Sequence, residues 1–547
     1  MTDSPAAGTP AAGTPAAGTD TPAGGGLARN TAIMAAGTFV SRITGFGRVL
    51  ALAYALGFQR LSDAYNVANT TPNLIYDLVL GGVLSATLIP VFVDQLARRD
   101  TPGADEEAGR NISAFLTVAV VLLAVLSVVV VVAAPLIIRL ATLANHSPDV
   151  ADQRAVGTAL LRLFAPQVLL LGLITLITAL LNARRRFGAP MWTPVLLNIW
   201  TIGVLVAFPH VAHSLTLSAV RHDTRAILLL GLGTTAGYLV QVVAMLPSLR
   251  GTRLHLRPVW EPANETLRLT LRLSSWTLAV VAANQVAFWV ILVLANAHAG
   301  EWSAYQSAYM FFQLPHAILA VSIMSALMPD LAERWTRGDV AAFRRQLSLG
   351  VRSTAAVLVP AAVGYAILAR PLVRLLLEHG RLTAHEAHVA ASVLAVLALG
   401  LPGFSIYLLL MRAYQAMKDT RRMFFLYAGE NAVTIVVALA LYHRFGVAGL
   451  ALAFIAPYTA FSFVAFRNLA GRTQGLEGSR TLASLSRIAG ASAVMGVVVA
   501  GISRLPGPTV VTVGVAVLGG AAVYVFTARV LGVEELAALL RVRRRTP

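Results

Sequence analysis

Two arginines lie inside an otherwise apolar segment near the start of the chain. Arg42 and Arg48 are both part of the run from Gly37 to Arg48. A charge at mid-bilayer costs about 2.5–3.5 kcal/mol on insertion scales, so such a residue usually faces a cavity or a partner. The planar guanidinium group suits phosphate oxygens. The pair therefore predicts a site for a phosphate-bearing molecule, and the alternative is an ion pair with Asp63 or Asp77 of the next segment.

A helix that carries Arg42 and Arg48 needs a local distortion if both are to face one cavity. The two arginines are six positions apart, which separates them by about 120° around an ideal helix. Gly45 and Gly47 lie between them, and sharp helix bends often occur at small residues. We therefore expect these glycines to loosen or kink the helix so that both side chains point inward.

Two further segments each carry a stripe of polar residues at helical spacing. Residues three, four and three positions apart share one helix face, so each stripe would line a polar cavity in an otherwise apolar helix. Both segments end in a proline followed by an acid, Pro90 and Asp94 in one and Pro329 and Asp330 in the other. The stripes are Asn66, Asn69, Asn73 and Tyr76 in the first segment, and Gln306, Tyr309, Gln313 and His316 in the second.

The composition indicates what kind of element holds these residues. Of 547 residues, 57% are hydrophobic and 12% are charged, whereas a soluble domain has about 45–50% and about 25%. A soluble enzyme is therefore excluded. The chain has no cysteine, which excludes disulfides, thiolate zinc sites and cysteine nucleophiles. No carboxylate pair or nucleophile–base arrangement indicates catalysis, so we predict neither an enzyme nor a metal site.

Apolar runs long enough to cross a membrane recur along the whole chain. A hydrocarbon core about 30 Å thick needs about 20 apolar residues per helix. The fold class is therefore an all-α polytopic membrane protein with fourteen transmembrane helices. The predicted spans are residues 31–57, 63–93, 113–135, 157–183, 191–209, 226–246, 270–297, 303–330, 351–369, 384–414, 423–443, 446–466, 486–504 and 508–531.

The spans contain an internal duplication. Pro166 precedes Arg185 and Arg186 by the interval at which Pro402 precedes Arg421 and Arg422. An offset of six helices keeps both halves in one orientation and predicts two six-helix lobes as parallel repeats, with two helices left over. The predicted domains are a disordered tail at 1–28, a first lobe at 29–250, a second lobe at 251–467, the last two helices at 468–531 and a basic tail at 532–547.

The chain has a net charge of +18, from 43 basic and 25 acidic residues. The distribution of the basic residues over the loops predicts the orientation of the bundle. With the N-terminus inside, cations are about three times as frequent in the inner loops as in the outer ones, as the positive-inside rule requires. Both termini are then cytoplasmic. The cations are spread over many loops and form no single basic domain, which excludes a nucleic-acid partner.

The first two spans contain the pattern Ser41-Arg42-x-x-Gly45-Phe46-x-Arg48, followed by Asp63-Ala64, Pro72-Asn73 and the stretch from Gly82 to Pro90. This pattern resembles the MurJ/MviN family of lipid II flippases in the MOP transporter superfamily, over residues 29–531. The resemblance implies that lipid II, an undecaprenyl-pyrophosphate-linked glycopeptide, moves from the inner to the outer leaflet of a bacterial plasma membrane by alternating access. It also implies a role in peptidoglycan synthesis and a groove for the polyprenyl tail along the last two helices.

The resemblance also assigns residues. Arg42 and Arg48 match two essential first-helix arginines of the family, and Asp63 matches its second-helix acid. The predicted substrate-binding residues are Arg42, Arg48, Asp63, Asn66, Asn69, Asn73, Tyr76, Gln306 and Gln313.

This chain departs from better-known family members at positions expected to line the cavity. Tyr76 and Met310 stand where those members carry further arginines, and Gln313 stands where an acid is common. We therefore expect a less cationic cavity with more neutral hydrogen bonding. Either an actinobacterial-type variant does the same work with two arginines, which we favour, or the substrate differs.

A candidate cation site lies in the eleventh span, at Glu430, Asn431 and Thr434. The family includes members with a sodium site in this lobe. The alternative, which we favour, is that Glu430 caps or pairs near the inner mouth with Arg421 or Arg422. We predict no cofactor, and Na⁺, H⁺ or the membrane potential as the driving force.

The resemblance also implies several partners, and two other functions are alternatives to the one that it implies. The expected partners are lipid II, membrane lipids and cell-wall synthesis or division proteins. The alternative functions are a MOP exporter of another polyprenyl-linked glycan or of drugs, and a scaffold without transport.

Overall fold

The computed structural model describes residues 23–81, 104–184, 186–250, 257–261 and 265–535, in which every regular element is helical. The helices are α1 Ala23–Leu56, α2 Arg60–Tyr76, α3 Ala104–Ala141, α4 Val150–Phe164, α5 Pro166–Ala183, α6 Gly188–Val211, α7 Leu217–His222, α8 Thr224–Met245, α9 Glu265–Ala295, α10 Glu301–Pro315, α11 Val321–Thr336, α12 Val340–Leu377, α13 Ala384–Leu399, α14 Leu401–Ala416, α15 Thr420–Arg472, α16 Gly478–Ser503 and α17 Thr509–Val530.

The described helices confirm an all-α protein with many membrane spans. Eleven stretches are long and apolar enough to cross a membrane, or twelve if α13 and α14, which meet at a bend of 49°, form one span. α15 contains a break at Gly446, where φ is 55° and ψ is −142°, and the sequence separates spans 423–443 and 446–466 at this point. The predicted span 63–93 is described only to residue 81, and its remainder lies outside the described residues.

Several helices extend beyond the apolar spans predicted for them. α3 begins nine residues before the predicted span 113–135 and ends six residues after it, and α12 likewise extends past both ends of 351–369. The added ends contain Ala, Arg, Glu and Leu, which are good helix formers outside the bilayer as well as inside it. A side-chain cap fixes the start of α12, because Asp339 accepts a hydrogen bond from the backbone N–H of Ala342 at 2.9 Å.

Irregularities occur in pairs along the two halves of the chain. Pro166 begins α5 directly after α4, and Pro402 lies in the first turn of α14 directly after α13. Proline suits a first turn because the N–H it lacks would be unpaired there. α2 and α10 each continue into a π-helical turn, at Asp77–Gly81 and at His316–Ala320. These pairs lie at equivalent positions of the duplication.

The helices pack mainly into two groups, α1 to α8 and α9 to α15, and contacts between the groups involve chiefly α2, α3, α9 and α10. α16 and α17 pack on α12. Met495 of α16 and Ala516 of α17 belong to an apolar cluster that is separate from the main core. The boundary between the two groups positions the candidate site.

Candidate functional site

A polar cavity of about 290 Å³ lies between α1, α2, α6 and α10. Because α2 and α10 belong to different packing groups, the cavity spans the boundary between them. Among the described lining residues Arg48 alone carries a charge. The lining includes five predicted residues, Arg48, Asn66, Asn69, Gln306 and Gln313, together with Val49, Leu52, Tyr65, Leu205, Ser307, Tyr309 and Met310.

The polar stripes of α2 and α10 meet in this cavity. Asn66 donates a hydrogen bond to Ser303 Oγ at 3.0 Å, and Gln306 donates one to Thr70 Oγ1 at 3.0 Å. The side-chain oxygen of Asn69 is buried and has no hydrogen-bond partner in the structure. Leaving a buried acceptor unpaired is unfavourable, so this oxygen is suited to accept a hydrogen bond from a bound molecule.

α1 is one continuous helix through Gly45 and Gly47. A Cβ added at these glycines would lie 3.5 Å from Asn198 Nδ2 and 3.4 Å from Ile202 Cδ1, both on α6, which are ordinary van der Waals distances. The packing of α1 on α6 therefore does not depend on glycine at these positions. The expectation that both arginines line one cavity is not met, because only Arg48 reaches the cavity lining.

Arg42 is exposed and lies outside the lining of the cavity. It lies near His316, in the π-helical turn after α10. Within the described part of the chain, neither Arg42 nor Arg48 forms an ion pair. The alternative of an ion pair with Asp63 or Asp77 is therefore wrong for this structure.

Asn73 and Tyr76 lie farther along α2, also outside the lining. Asn73 donates to the backbone carbonyl of Asn69 at 3.0 Å. The Tyr76 hydroxyl shares a hydrogen bond of 2.6 Å with Thr175 Oγ1 of α5. In this conformation Tyr76 therefore connects α2 to a helix of its own packing group.

Asp63 caps the start of α10. Its fully buried carboxylate accepts hydrogen bonds from Gly300 N at 2.6 Å, Ser303 N at 3.0 Å and Ser303 Oγ at 2.7 Å. A carboxylate at this position satisfies N–H groups that a helix start leaves unpaired, and it favours the positive end of the helix dipole. Asp63 therefore joins the two packing groups, and its predicted contact with substrate does not fit this placement.

Arg60 lies between the predicted spans 31–57 and 63–93, in what the predicted orientation makes an outer loop. In the structure its side chain is buried at the start of α2. Its guanidinium group donates to the carbonyls of Asn296 and Ala297 at 2.9 Å each, and to Asn145 Oδ1 at 3.2 Å. Arg60 and Asp63 together close the end of the cavity at which α2 and α10 begin. The sequence feature that could have indicated this role is the arginine and the aspartate three positions apart at the start of one helix.

A second cavity, of about 260 Å³, lies between α9, α10, α14 and α15, and Glu430, Asn431 and Thr434 line it. Glu430 Oε1 accepts a hydrogen bond from Thr434 Oγ1 at 2.9 Å, and its Oε2 is buried without a partner. Asn431 donates to Asn284 Oδ1 at 2.7 Å. Among the residues that the structure describes, no arginine forms an ion pair with Glu430.

Taken together, these features define a class of protein. Two groups of membrane-spanning helices enclose a polar cavity, and hydrogen bonds between two helix starts close one end of it. This is the architecture of a membrane transporter.

Comparison with known proteins gives the family. Residues 52–518 match the model of the family described as lipid II flippase MurJ, and the chain belongs to this family. A probable lipid II flippase MurJ of Thermotoga maritima is 27% identical over 517 residues, which are 94% of this chain and 98% of the relative. One of Rhizobium meliloti is 25% identical over 472 residues, which are 86% and 85%.

Solved structures show the same fold. A lipid II flippase MurJ in an inward closed conformation matches with a TM-score of 0.74 and 19% identity, over 91% of this chain and 98% of that one. An inward-facing MATE-family multidrug transporter of the MOP superfamily matches with a TM-score of 0.65 and 13% identity, over 80% and 95%. The chain therefore has a MOP-type fold.

Proposed function

We propose that this protein moves lipid II from the inner to the outer leaflet of a bacterial plasma membrane for peptidoglycan synthesis. The observation that carries the proposal is Arg48, a cation in the lining of a cavity between two helix groups that forms no ion pair with any described residue. Its guanidinium group can donate paired hydrogen bonds to a pyrophosphate. The family to which the chain belongs supports this substrate.

We assign different roles to the two arginines, of which only Arg48 lines the cavity. Arg48 would bind the pyrophosphate, and the exposed Arg42 would contact it during entry. The amides of Asn66, Asn69 and Gln306 would bind the sugar and peptide groups, because they offer both donors and acceptors. Gln313, Asn73 and Tyr76 would extend this polar surface along α10 and α2. We assign no catalytic step to the protein.

We propose fourteen transmembrane helices in two six-helix lobes, at residues 29–250 and 251–467, with a lipid-tail groove at 468–531. The break at Gly446 and the bent pair of α13 and α14 support this count. We place both termini in the cytoplasm, on the strength of the loop charges. The closed end formed by Arg60 and Asp63 would then face outward, and the cavity would receive substrate from the inner leaflet.

A coupling cation is a further part of the proposal. Glu430 and Thr434 line the second cavity, and the free Oε2 of Glu430 supports a site for Na⁺ or H⁺ there. The membrane potential would add about 2.3 kcal/mol per charge per 100 mV. Lipid II transport into vesicles should lose its dependence on the Na⁺ or H⁺ gradient in Glu430→Gln. If transport by Glu430→Gln depended on the gradient as strongly as transport by the parent protein, Glu430 would not be part of a coupling-cation site.

Complementation tests the proposed function directly. Arg42→Ala and Arg48→Ala should each fail to rescue cells depleted of their own flippase, although the proteins are made and inserted. Arg162→Ala removes the same charge from an exposed position on α4 and should rescue. Rescue by both Arg42→Ala and Arg48→Ala would overturn the proposal. The purified protein should also retain lipid II in preference to an undecaprenyl-linked O-antigen precursor, and the reverse preference would favour a different polyprenyl-linked substrate.

A further inference from the structure

A third polar pocket, of about 230 Å³, lies where α16 begins and the chain leaves α17. It is far along the chain from the cavity residues, and it lies at the polar end of the two helices proposed above as the lipid-tail groove. We call it the arginine pocket, and its polar lining residues are Arg352, Arg480, Ser484, Arg487, Glu534 and Glu535.

Several donors converge on the arginine pocket. Arg480, Ser484 and Arg487 are four and three positions apart on α16 and so share one helix face. Ser484 is only 7% exposed, and its Oγ has no hydrogen-bond partner among the described residues. Arg352 is 5% exposed, and its Nε likewise has no partner in the described part of the chain. Buried polar groups without partners are unfavourable, so a ligand with several acceptor oxygens would stabilise this arrangement.

The two glutamates leave part of this basic surface available. Arg352 and Glu535 form a buried ion pair at 2.7 Å, which a ligand would not readily displace, and Glu477 lies 3.9 Å from the same guanidinium group, so Arg352 adds little free positive charge. Arg480 and Glu534 form a pair at 3.0 Å with side chains 58% and 71% exposed, and exposed pairs of this kind are weak. Arg487 donates to the carbonyl of Gly532 at 3.2 Å. Arg480 can therefore exchange its glutamate for another anion, and Arg487 retains further donors for the same anion.

The surroundings of the arginine pocket indicate what the anion is attached to. Leu482 on α16 and Val530 at the end of α17 are both exposed, and both helices are apolar enough to span a membrane. The pocket thus lies where an apolar helix surface meets the polar ends of the spans. We propose that it binds the phosphate of an anionic glycerophospholipid, whose acyl chains lie against the apolar faces of α16 and α17.

Lipid binding by the purified full-length protein tests this proposal. Native mass spectrometry should show retention of phosphatidylglycerol but not of phosphatidylcholine. Arg480→Gln/Arg487→Gln should weaken phosphatidylglycerol binding about 30-fold, since each cation near an anionic lipid surface contributes about five- to sixfold. Arg504→Gln, which changes an exposed arginine directly after the opposite end of α16, should bind as the parent does.

Three results would overturn the proposal. They are equal retention of the two lipids, full binding by the double variant, and complete competition by millimolar inorganic phosphate, which would make the pocket a site for free phosphate. If the double variant does not fold, Arg480→Gln alone changes one exposed side chain and should still weaken binding several-fold. Unchanged binding by that variant would also overturn the proposal.

Discussion

Replacing Asp63 by alanine should release the closed end of the substrate cavity. Asp63 belongs to α2, and its carboxylate accepts hydrogen bonds from Gly300 N, Ser303 N and Ser303 Oγ at the start of α10. α2 and α10 belong to different packing groups. These bonds therefore stabilise the closed arrangement and are lost when the two groups separate at this end.

The size of the effect follows from these three bonds. Removing a helix N-cap costs about 0.5–2 kcal/mol, and a hydrogen bond to a charged group contributes about 1.5–3 kcal/mol. The three bonds share one carboxylate, and water replaces them after opening, so we expect Asp63→Ala to weaken the closed state by about 2–3 kcal/mol. The ratio of closed to open molecules should fall about 30- to 150-fold.

Distance measurements between spin labels can detect this shift. The chain contains no cysteine, so labels at Gln59→Cys and Ala299→Cys, both exposed, report only on this end. Double electron–electron resonance should give one short distance between the two labels in the protein with Asp63. With Asp63→Ala it should show an additional, longer distance. Asp330→Ala removes the same charge from an exposed site on α11 and should change nothing. An unchanged distance distribution in folded Asp63→Ala would refute the reasoning.

Two further predictions concern stability in thermal unfolding. A Cβ at Gly300 (φ +79°) would lie 1.8 Å from the carbonyl oxygen of Phe58, whereas at Gly338 (φ +73°) nothing lies within 4 Å. Gly300→Ala should therefore lower Tm far more than Gly338→Ala, which adds only backbone strain of about 1–2 kcal/mol, and equal shifts would contradict the predicted clash. Arg352→Met should destabilise by about 3–5 kcal/mol because it leaves buried Glu535 unpaired. Adding Glu535→Gln should recover much of this loss, and an additive further loss would show that the pair is not coupled.

The sequence predicts the membrane spans well because the hydrocarbon core imposes a length and an apolar composition on each of them. It predicts their ends poorly. The ends of α3 and α12 extend past the apolar runs, and helix propensity and caps such as Asp339 decide the boundary there. The break at Gly446 was predicted because a short polar interval separates two apolar runs there.

The lining of the cavity was predicted in part for a similar physical reason. Helical spacing alone indicates that Asn66, Asn69 and Gln306 share faces with their neighbours, and these residues do meet across the boundary. The role of Asp63 depends on partners far away in the sequence. A carboxylate that caps a distant helix has the same local sequence pattern as one that binds a ligand.

The closure made by Arg60 and Asp63 has a consequence for how easily the protein changes shape. Hydrogen bonds hold this end together beside buried apolar side chains such as Phe58 and Trp302. Separating the apolar part would cost about 25 cal/mol per Å² exposed, whereas water can replace most of what a hydrogen bond provides. The hydrogen-bonded part of the closure therefore adds only a few kcal/mol to the free energy of opening, an amount that the binding of one charged molecule is able to offset.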